Sequence, residues 1–331
     1  MYPVFAKLLE YKRNGLVEEE HSGLILHFSK DKIFNEVGTH NNYKFYQRSC
    51  MKPLQLARLI DLELDKIYGF SQDEIAFMAA SHTGDIEHQK RVRSILNKLN
   101  LDESYLLCPK HQPLSKNERE RLLLNKLEPL PIHNNCSGKH SAMLAICKHM
   151  DFPLNNYMDD NHPLKEFIIS KVLEICEVKD NDYVISKDGC GLPTIATSLY
   201  NLGIGFLNLF LNPRYSSIKN AYINFPYLIG GEGRHDSEII NASGGNLVAK
   251  VGAGGLIVIA NLEKEECLVI KIADLDMKAR ILTAVTALKQ LKWITETQIL
   301  ESPLSDIVSF DILSLWNEKL GEISPCFELK Y

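Results

Sequence analysis

The sequence predicts an α+β protein in which one antiparallel sheet, built from both ends of the chain, packs against a largely helical middle. Three observations predict it. Apolar and polar residues alternate over positions 5–30, apolar spacing turns helical from Pro53 onward, and three short apolar runs follow Asn241. A chain of 331 residues can bury a sizeable core, and no flexible linker or repeat divides it. The expected unit is therefore residues 1–331, with a sheet part near 1–48 and 225–331 and a helical part near 49–224.

Taken in order, Asn14-Gly15 is a hairpin signal, which predicts strands over 5–12 and 17–29. "LQLARLIDLELDKIYG" after Pro53 carries helical spacing and stops at Gly69. Ser71 with Glu74 is a capping box, and "DIEHQKRVRSILNKL" is a second amphipathic helix. Shorter helices are predicted over 116–125, 139–149 and 163–177, with a long one from Pro193 toward Leu211. "GNLVAKVG", "GLIVIANL" and "CLVIKIAD" form an antiparallel meander, closed by a helix in "DMKARILTAVTALKQLKW" and another over 302–316.

Composition excludes several classes. A formal net charge of -5 and 24% charged residues leave no basic surface for nucleic acid; "HQKRVRS" reads as the solvated face of a helix. No apolar run reaches membrane-spanning length, and "MYPVFAKLLEYKRNG" lacks the apolar core of a secretory signal, so the protein is expected in the cytoplasm. Eight scattered cysteines are too few for a disulfide scaffold of this length.

Chemistry concentrates at four stations. "RSCMKP" puts Ser49 and Lys52 three apart on one face of the first turn before Pro53, where a lysine with a lowered pKa can activate a serine. The plain alternative is a capping serine and a solvated lysine. "SHTGD" crowds Ser81, His82, Thr83 and Asp85 between two helices, and "VAKVGAGG" puts Lys250 in an otherwise apolar strand, an expensive place for a lone cation. A Ser-x-x-Lys helix start, a mid-chain polar loop and a late Lys-x-Gly strand, in that order, form a serine acyl-transfer pattern. Asp85 as a helix cap and Lys250 reaching an edge are the structural alternatives.

"PIHNNCSGKHSAM" and "SKDGCGLPTIA" bring Cys136 and Cys190 to helix-entry loops. If the loops meet, Cys136, Cys190 and one of Lys139, His133 or His140 make a soft metal site, with zinc the foremost ion; core cysteines and a cysteine nucleophile are the other readings. Asp188 either orients a ligand or merely turns the chain in "KDG". In "GGEGRHDSEI", Glu232, Arg234 and Asp236 read first as a surface turn with local ion pairs.

Together, "RSCMKP", "SHTGD", "NNCSGKH", "DGCGLPT", "GEGRHD" and "AKVGAGG" resemble the L-asparaginase II family of the Rhizobium etli type over nearly the whole chain. The resemblance implies a fold similar to serine beta-lactamases and bacterial glutaminases, a homodimer, and hydrolysis of L-asparagine to L-aspartate and ammonia. It implies two serine-lysine pairs, Ser49 with Lys52 and Ser81 with Lys250, and one Zn2+ on Cys136, Lys139 and Cys190 that modulates substrate binding. Arg48, Asn134, Asn135 and Asp188 match the surroundings of the family's substrate site. A glutaminase, another beta-lactamase-like amidase, or a zinc-containing protein that binds an amino acid without turnover are the rival readings. Two departures stand out: Asp85 shortens the family's usual acid, and Gly254 replaces a glutamate.

Overall fold

The computed structural model describes residues 1–179 and 181–330. Strands β1 (Ala6–Arg13) and β2 (Leu16–Ser29) form the hairpin, turning through Asn14 and Gly15, both with positive φ. They are followed by β3 (Ile33–Val37), β4 (Phe45–Tyr46), β5 (Val184–Lys187) and β6 (Pro193–Thr197), then by the meander β7 (Leu247–Gly252), β8 (Leu256–Asn261) and β9 (Glu266–Ile272), and last by β10 (Asp311–Leu313) and β11 (Lys319–Pro325).

The main sheet is antiparallel, in the order β10-β11-β1-β2-β9-β8-β7, with β3 also paired to β2. It joins the two chain ends, as the patterning of the sequence implies. Every residue of β7 and β8 is buried, because helices Leu199–Leu211 and Met277–Gln290 pack against β8 and β9, and helix His235–Ala242 and the turn Arg48–Met51 pack against β7. Strands covered in this way read as continuous apolar runs rather than alternating ones. Among the described residues, no helix is long and apolar enough to cross a membrane.

Three expectations are corrected. Pro193 opens β6 rather than a helix: it is tolerated as the first residue of a strand, and Thr194, Ile195 and Thr197 are β-branched residues that favour the pleat. The helix begins at Leu199, where Ser198 accepts a hydrogen bond from the Asn201 amide. The middle of the chain thus holds a small second sheet, β4-β6-β5, and is not all helical. Finally, 302–316 yields only the turn of helix Leu304–Ile307 before β10, because β11 offers an edge to which Asp311–Leu313 can pair.

The first station folds as the spacing requires. A 3-10 turn, Arg48–Met51, runs into the helix Lys52–Asp61 with Pro53 in its first turn. Eight of the ten residues of that helix are buried, Lys52 among them, so its lysine stem is carried into the interior. The capping box at Ser71 forms as predicted, and Asp85 caps Ile86–Lys98 by accepting from the Glu87 and His88 amides.

Candidate active site

Lys52 is 1% exposed, and its Nζ meets three oxygens: the Ala80 carbonyl at 2.5 Å, the Ser81 hydroxyl at 2.8 Å and the Asn135 carbonyl at 3.1 Å. One amine therefore ties together three stations that are far apart in sequence. Two of the three acceptors are carbonyls, which can only accept. With two N–H groups directed to them, the remaining tetrahedral direction of the nitrogen faces Ser81, as an N–H in the cation or as a lone pair in the neutral amine.

The serine-lysine pairing differs from the one expected. Ser81, 2% exposed, is bonded to Lys52 rather than to Lys250, whose ammonium is ion-paired with Asp236. The reason is topological: Ser81 is anchored through its amide to the Ile229 carbonyl at 2.9 Å, at the mouth of the Lys52 helix, whereas Asp236 occupies the nitrogen of Lys250. Asp236 is wholly buried, not a surface residue, and its carboxylate also accepts from the Val251 amide at 3.3 Å. Ser49, half-buried in its 3-10 turn, has no side-chain hydrogen bond among the described residues.

Charge is crowded here. Burial pushes Lys250 below the ordinary lysine value, Asp236 pulls it back up, and the Lys52 charge pushes it down again. Burial alone would raise Asp236, but the Lys250 and Arg234 charges outweigh it and hold the carboxyl low. His82 is a structural residue. It accepts from the Gly84 amide through Nδ1 at 3.1 Å, it lies 2.9 Å from Ser137 Oγ through Nε2, and burial keeps it neutral. Gly84 has φ +75°, and a Cβ there would lie 2.5 Å from the His133 carbonyl, so glycine lets the Ser81 loop close onto the Asn135 loop. Thr83 lines a cavity of about 610 Å3 together with Asp85, Glu118, Arg121, Tyr227 and Glu232.

The two cysteine loops do meet. Ligand atoms of Cys136, Asp188 and Cys190 lie within 4.8 Å of one another, all buried. The neighbouring Cys136, then Lys139 and His140, draw Cys190 below the usual thiol value against the effect of burial, while Cys190 and burial push Cys136 up. Burial pulls Lys139 down, but the charges of Cys190, Cys136 and Asp188 more than reverse this, and its Nζ lies 3.7 Å from Asp188 Oδ2. Two sulfurs, a carboxylate and an amine make a donor set suited to a soft divalent ion.

Asp188 also receives Arg48 Nε on Oδ1 at 2.7 Å, joining the metal-type cluster to the serine station. Arg48 has φ +50°, an unusual conformation for a side-chain-bearing residue, and is half-buried. Asn135 bridges the same two centres, with its carbonyl on Lys52 and its Oδ1 accepting from Cys136 Sγ at 3.4 Å. The Asn134 side chain donates to the Pro109 carbonyl at 2.6 Å and accepts from the Cys136 amide at 2.8 Å, which fixes the start of the cysteine loop. His133 is turned to Glu118 at 3.3 Å and is not a donor to the cluster. Gly254, at φ +80°, has open space around it, so the conformation of the β7–β8 turn, not crowding, favours glycine there. Of the residues that complete the site, Asp236 was visible in sequence only as part of a polar cluster; its signal was a buried strand lysine in need of an anion.

The family model described as L-asparaginase II matches residues 9–325. No curated protein matches the chain. Among solved structures, a beta-lactamase from Mycobacterium bovis is 12% identical, with 82% of this chain and 95% of that one covered and a TM-score of 0.45. A protein of Bacteroides dorei DSM 17855 assigned to the beta-lactamases is 11% identical, with 76% and 84% covered and a TM-score of 0.39.

Proposed function

The chain belongs to the L-asparaginase II family, and from that premise we propose that it is an L-asparaginase of the Rhizobium etli type, hydrolysing the side-chain amide of L-asparagine by a serine-lysine mechanism. The observation that carries the reading is the Lys52 amine, fixed by two carbonyls and aimed at Ser81 Oγ at 2.8 Å. Such an amine is held in place to take a proton from a serine hydroxyl.

Ser49 is the nucleophile in this reading, because it is only half-buried and its hydroxyl is not held by another side chain among the described residues, whereas Ser81 is 2% exposed and bonded to Lys52. Lys52 reaches it by releasing its longest bond, to the Asn135 carbonyl at 3.1 Å; catalytic hydrogen bonds commonly tighten only with substrate bound. Ser49 Oγ bonds to the amide carbon as its proton passes to Lys52. That proton is relayed through Ser81 to the departing nitrogen, the C–N bond breaks, ammonia leaves, and water cleaves the β-aspartyl ester. Lys250, held by Asp236, keeps positive charge beside the relay. Arg48 directs its remaining N–H groups to the substrate carboxylate, and the Asn135 carboxamide supplies a further donor. Cys136, Lys139 and Cys190 would hold Zn2+, with Asp188 orienting Lys139; the bound ion supplies a fixed positive charge that shapes substrate binding. A cytoplasmic location is supported by the eight free cysteines. A homodimer is supported by the exposed apolar residues Leu315 and Trp316 beside β10.

The test is ammonia release from asparagine, glutamine and a penicillin, with mass spectrometry of the rapidly quenched enzyme. Turnover confined to asparagine, with the adduct on Ser49, is the expected result. An adduct on Ser81 would reverse the two serines, glutamine turned over faster would make it a glutaminase, and an intact bound amino acid without ammonia would end the enzyme reading. For the metal, C190S is expected to lower bound zinc from one per chain to a small fraction and to raise KM more than it lowers kcat. Elemental analysis of the purified protein beside its kinetics checks this, and full zinc content in C190S would refute the ligand set.

A further inference from the structure

We infer that Tyr227 is a positioning residue for Ser81: its hydroxyl fastens the loop Ser81–Asp85 to the turn that holds the Ser81 amide, and so sets the register of Ser81 Oγ against Lys52. Asp85 divides its two carboxylate oxygens between two tasks. Oδ1 caps the helix Ile86–Lys98, accepting the Glu87 and His88 amides at 3.0 and 3.1 Å, and lies 2.9 Å from His88 Nδ1. Oδ2 takes no part in the cap: it accepts the Thr83 hydroxyl at 3.1 Å and the Tyr227 hydroxyl at 2.6 Å.

Tyr227 stands on Pro226–Ile229, a helix of a single turn. A segment that short does not hold itself. Its far end carries the Ile229 carbonyl, which accepts the Ser81 amide hydrogen at 2.9 Å. Loop and turn are thus tied at both ends, Ser81 to Ile229 and Asp85 to Tyr227. At the first of these ends the Ser81 hydroxyl meets Lys52 Nζ at 2.8 Å, while the preceding Ala80 carbonyl accepts from the same nitrogen at 2.5 Å. Play in the turn therefore passes directly to the oxygen that must meet the amine.

Tyr227 is 42% exposed and lines the cavity of about 610 Å3 together with Asp85, so water competes for the carboxylate. Two features favour the tie. A phenol donating to an ionised carboxylate makes the stronger kind of hydrogen bond. The ring also lies flat over the His88 imidazole, with centroids 5.5 Å apart and planes 6° apart, and His88 is stacked in turn on His82 at 4.9 Å. The stack aims the hydroxyl at Oδ2, and the hydroxyl makes the tie. The effect on catalysis rests on the function proposed above; the fastening of the loop does not.

Y227F keeps the ring and removes the tie. In amide hydrogen exchange read by mass spectrometry, the Ser81 amide is expected to exchange about 5- to 30-fold faster in Y227F, while the amides of the helix Ile86–Lys98, whose cap uses the other carboxylate oxygen, keep their parental rates. Kinetics on asparagine then read the positioning: kcat is expected to fall about tenfold, with KM changed by less than about twofold. In S81A the same substitution is expected to cost nothing further, since a change that acts through Ser81 has nothing left to displace. A Ser81 amide that exchanges at the parental rate, or a loop and helix that loosen together, overturns the fastening. A Y227F enzyme of parental kcat, a rise in KM alone, or equal losses in the parent and in S81A overturns the positioning role. A parent that releases no ammonia from asparagine refutes the asparaginase reading instead, and the exchange rates still decide the fastening.

Discussion

Replacing Lys52 by methionine is expected to lower kcat for asparagine by about a hundred- to ten-thousandfold, the range associated with losing a positioned general base. Methionine fills most of the space of the lysine stem in this buried helix start, so the chain should still fold. What disappears is the nitrogen that meets Ala80 O, Ser81 Oγ and Asn135 O. The buried Ala80 carbonyl loses a partner, at about 1–3 kcal/mol if no water replaces it, and the half-buried Asn135 carbonyl loses one that water can replace, so thermal melting must accompany the kinetics. The serines act through the same amine, so their effects should not add: K52M/S81A is expected to be no slower than K52M. Steady-state rates for K52M, S81A and the double variant check this. A K52M enzyme keeping a tenth of its activity would remove Lys52 from the chemistry, and losses that multiply would separate Ser81 from it.

Much of this site was legible because its parts are local. The Ser49 and Lys52 spacing, the Pro53 helix start and the polar corner Ser81–Asp85 between two helices each follow from a few neighbouring residues. Lys250 was legible as a problem, since a cation in the apolar run of β7 needs an anion. Its solution was not, because Asp236 lies on the helix His235–Ala242 and its neighbours resemble a surface turn. The choice of serine for each lysine was hidden for the same reason: it depends on the Ser81 amide bonding the Ile229 carbonyl, a contact with no periodic trace. Errors of fold fell where local propensity competed with pairing. Pro193 could open a helix or a strand, and β5 and β4 decided for the strand; Asp311–Leu313 became a strand because β11 offered it an edge.

The pair Lys250 and Asp236 gives the second large effect, and it separates stability from catalysis. Changing Asp236 to asparagine keeps the volume but leaves a buried ammonium without its anion, a change that costs about 3–5 kcal/mol in buried pairs. Lys250 has one escape: burial and Lys52 already push its proton affinity down, so in D236N it can neutralise. The folded variant then binds fewer protons than its unfolded chain, and stability rises with pH wherever the unfolded state binds more. The deficit of D236N against the parent is therefore expected to be largest near neutrality and to shrink as pH climbs toward the ordinary lysine value of about 10.4. At the acid end the parent behaves oppositely. Its Asp236 carboxyl is held low in the fold, so its contribution is present above the unfolded carboxyl value of about 3.9 and is lost as pH falls through the lower folded value. The double change D236N/K250M removes both charges and should recover most of the lost stability, because replacing a whole buried pair costs far less than breaking one. It should not recover turnover, since the positive charge beside Lys52 is gone. Denaturant melts of the three proteins between neutral and alkaline pH, with ammonia assays alongside, read both effects. A D236N deficit that stays constant with pH would show that Lys250 keeps its proton, and a double variant with parental turnover would reduce the pair to a scaffold.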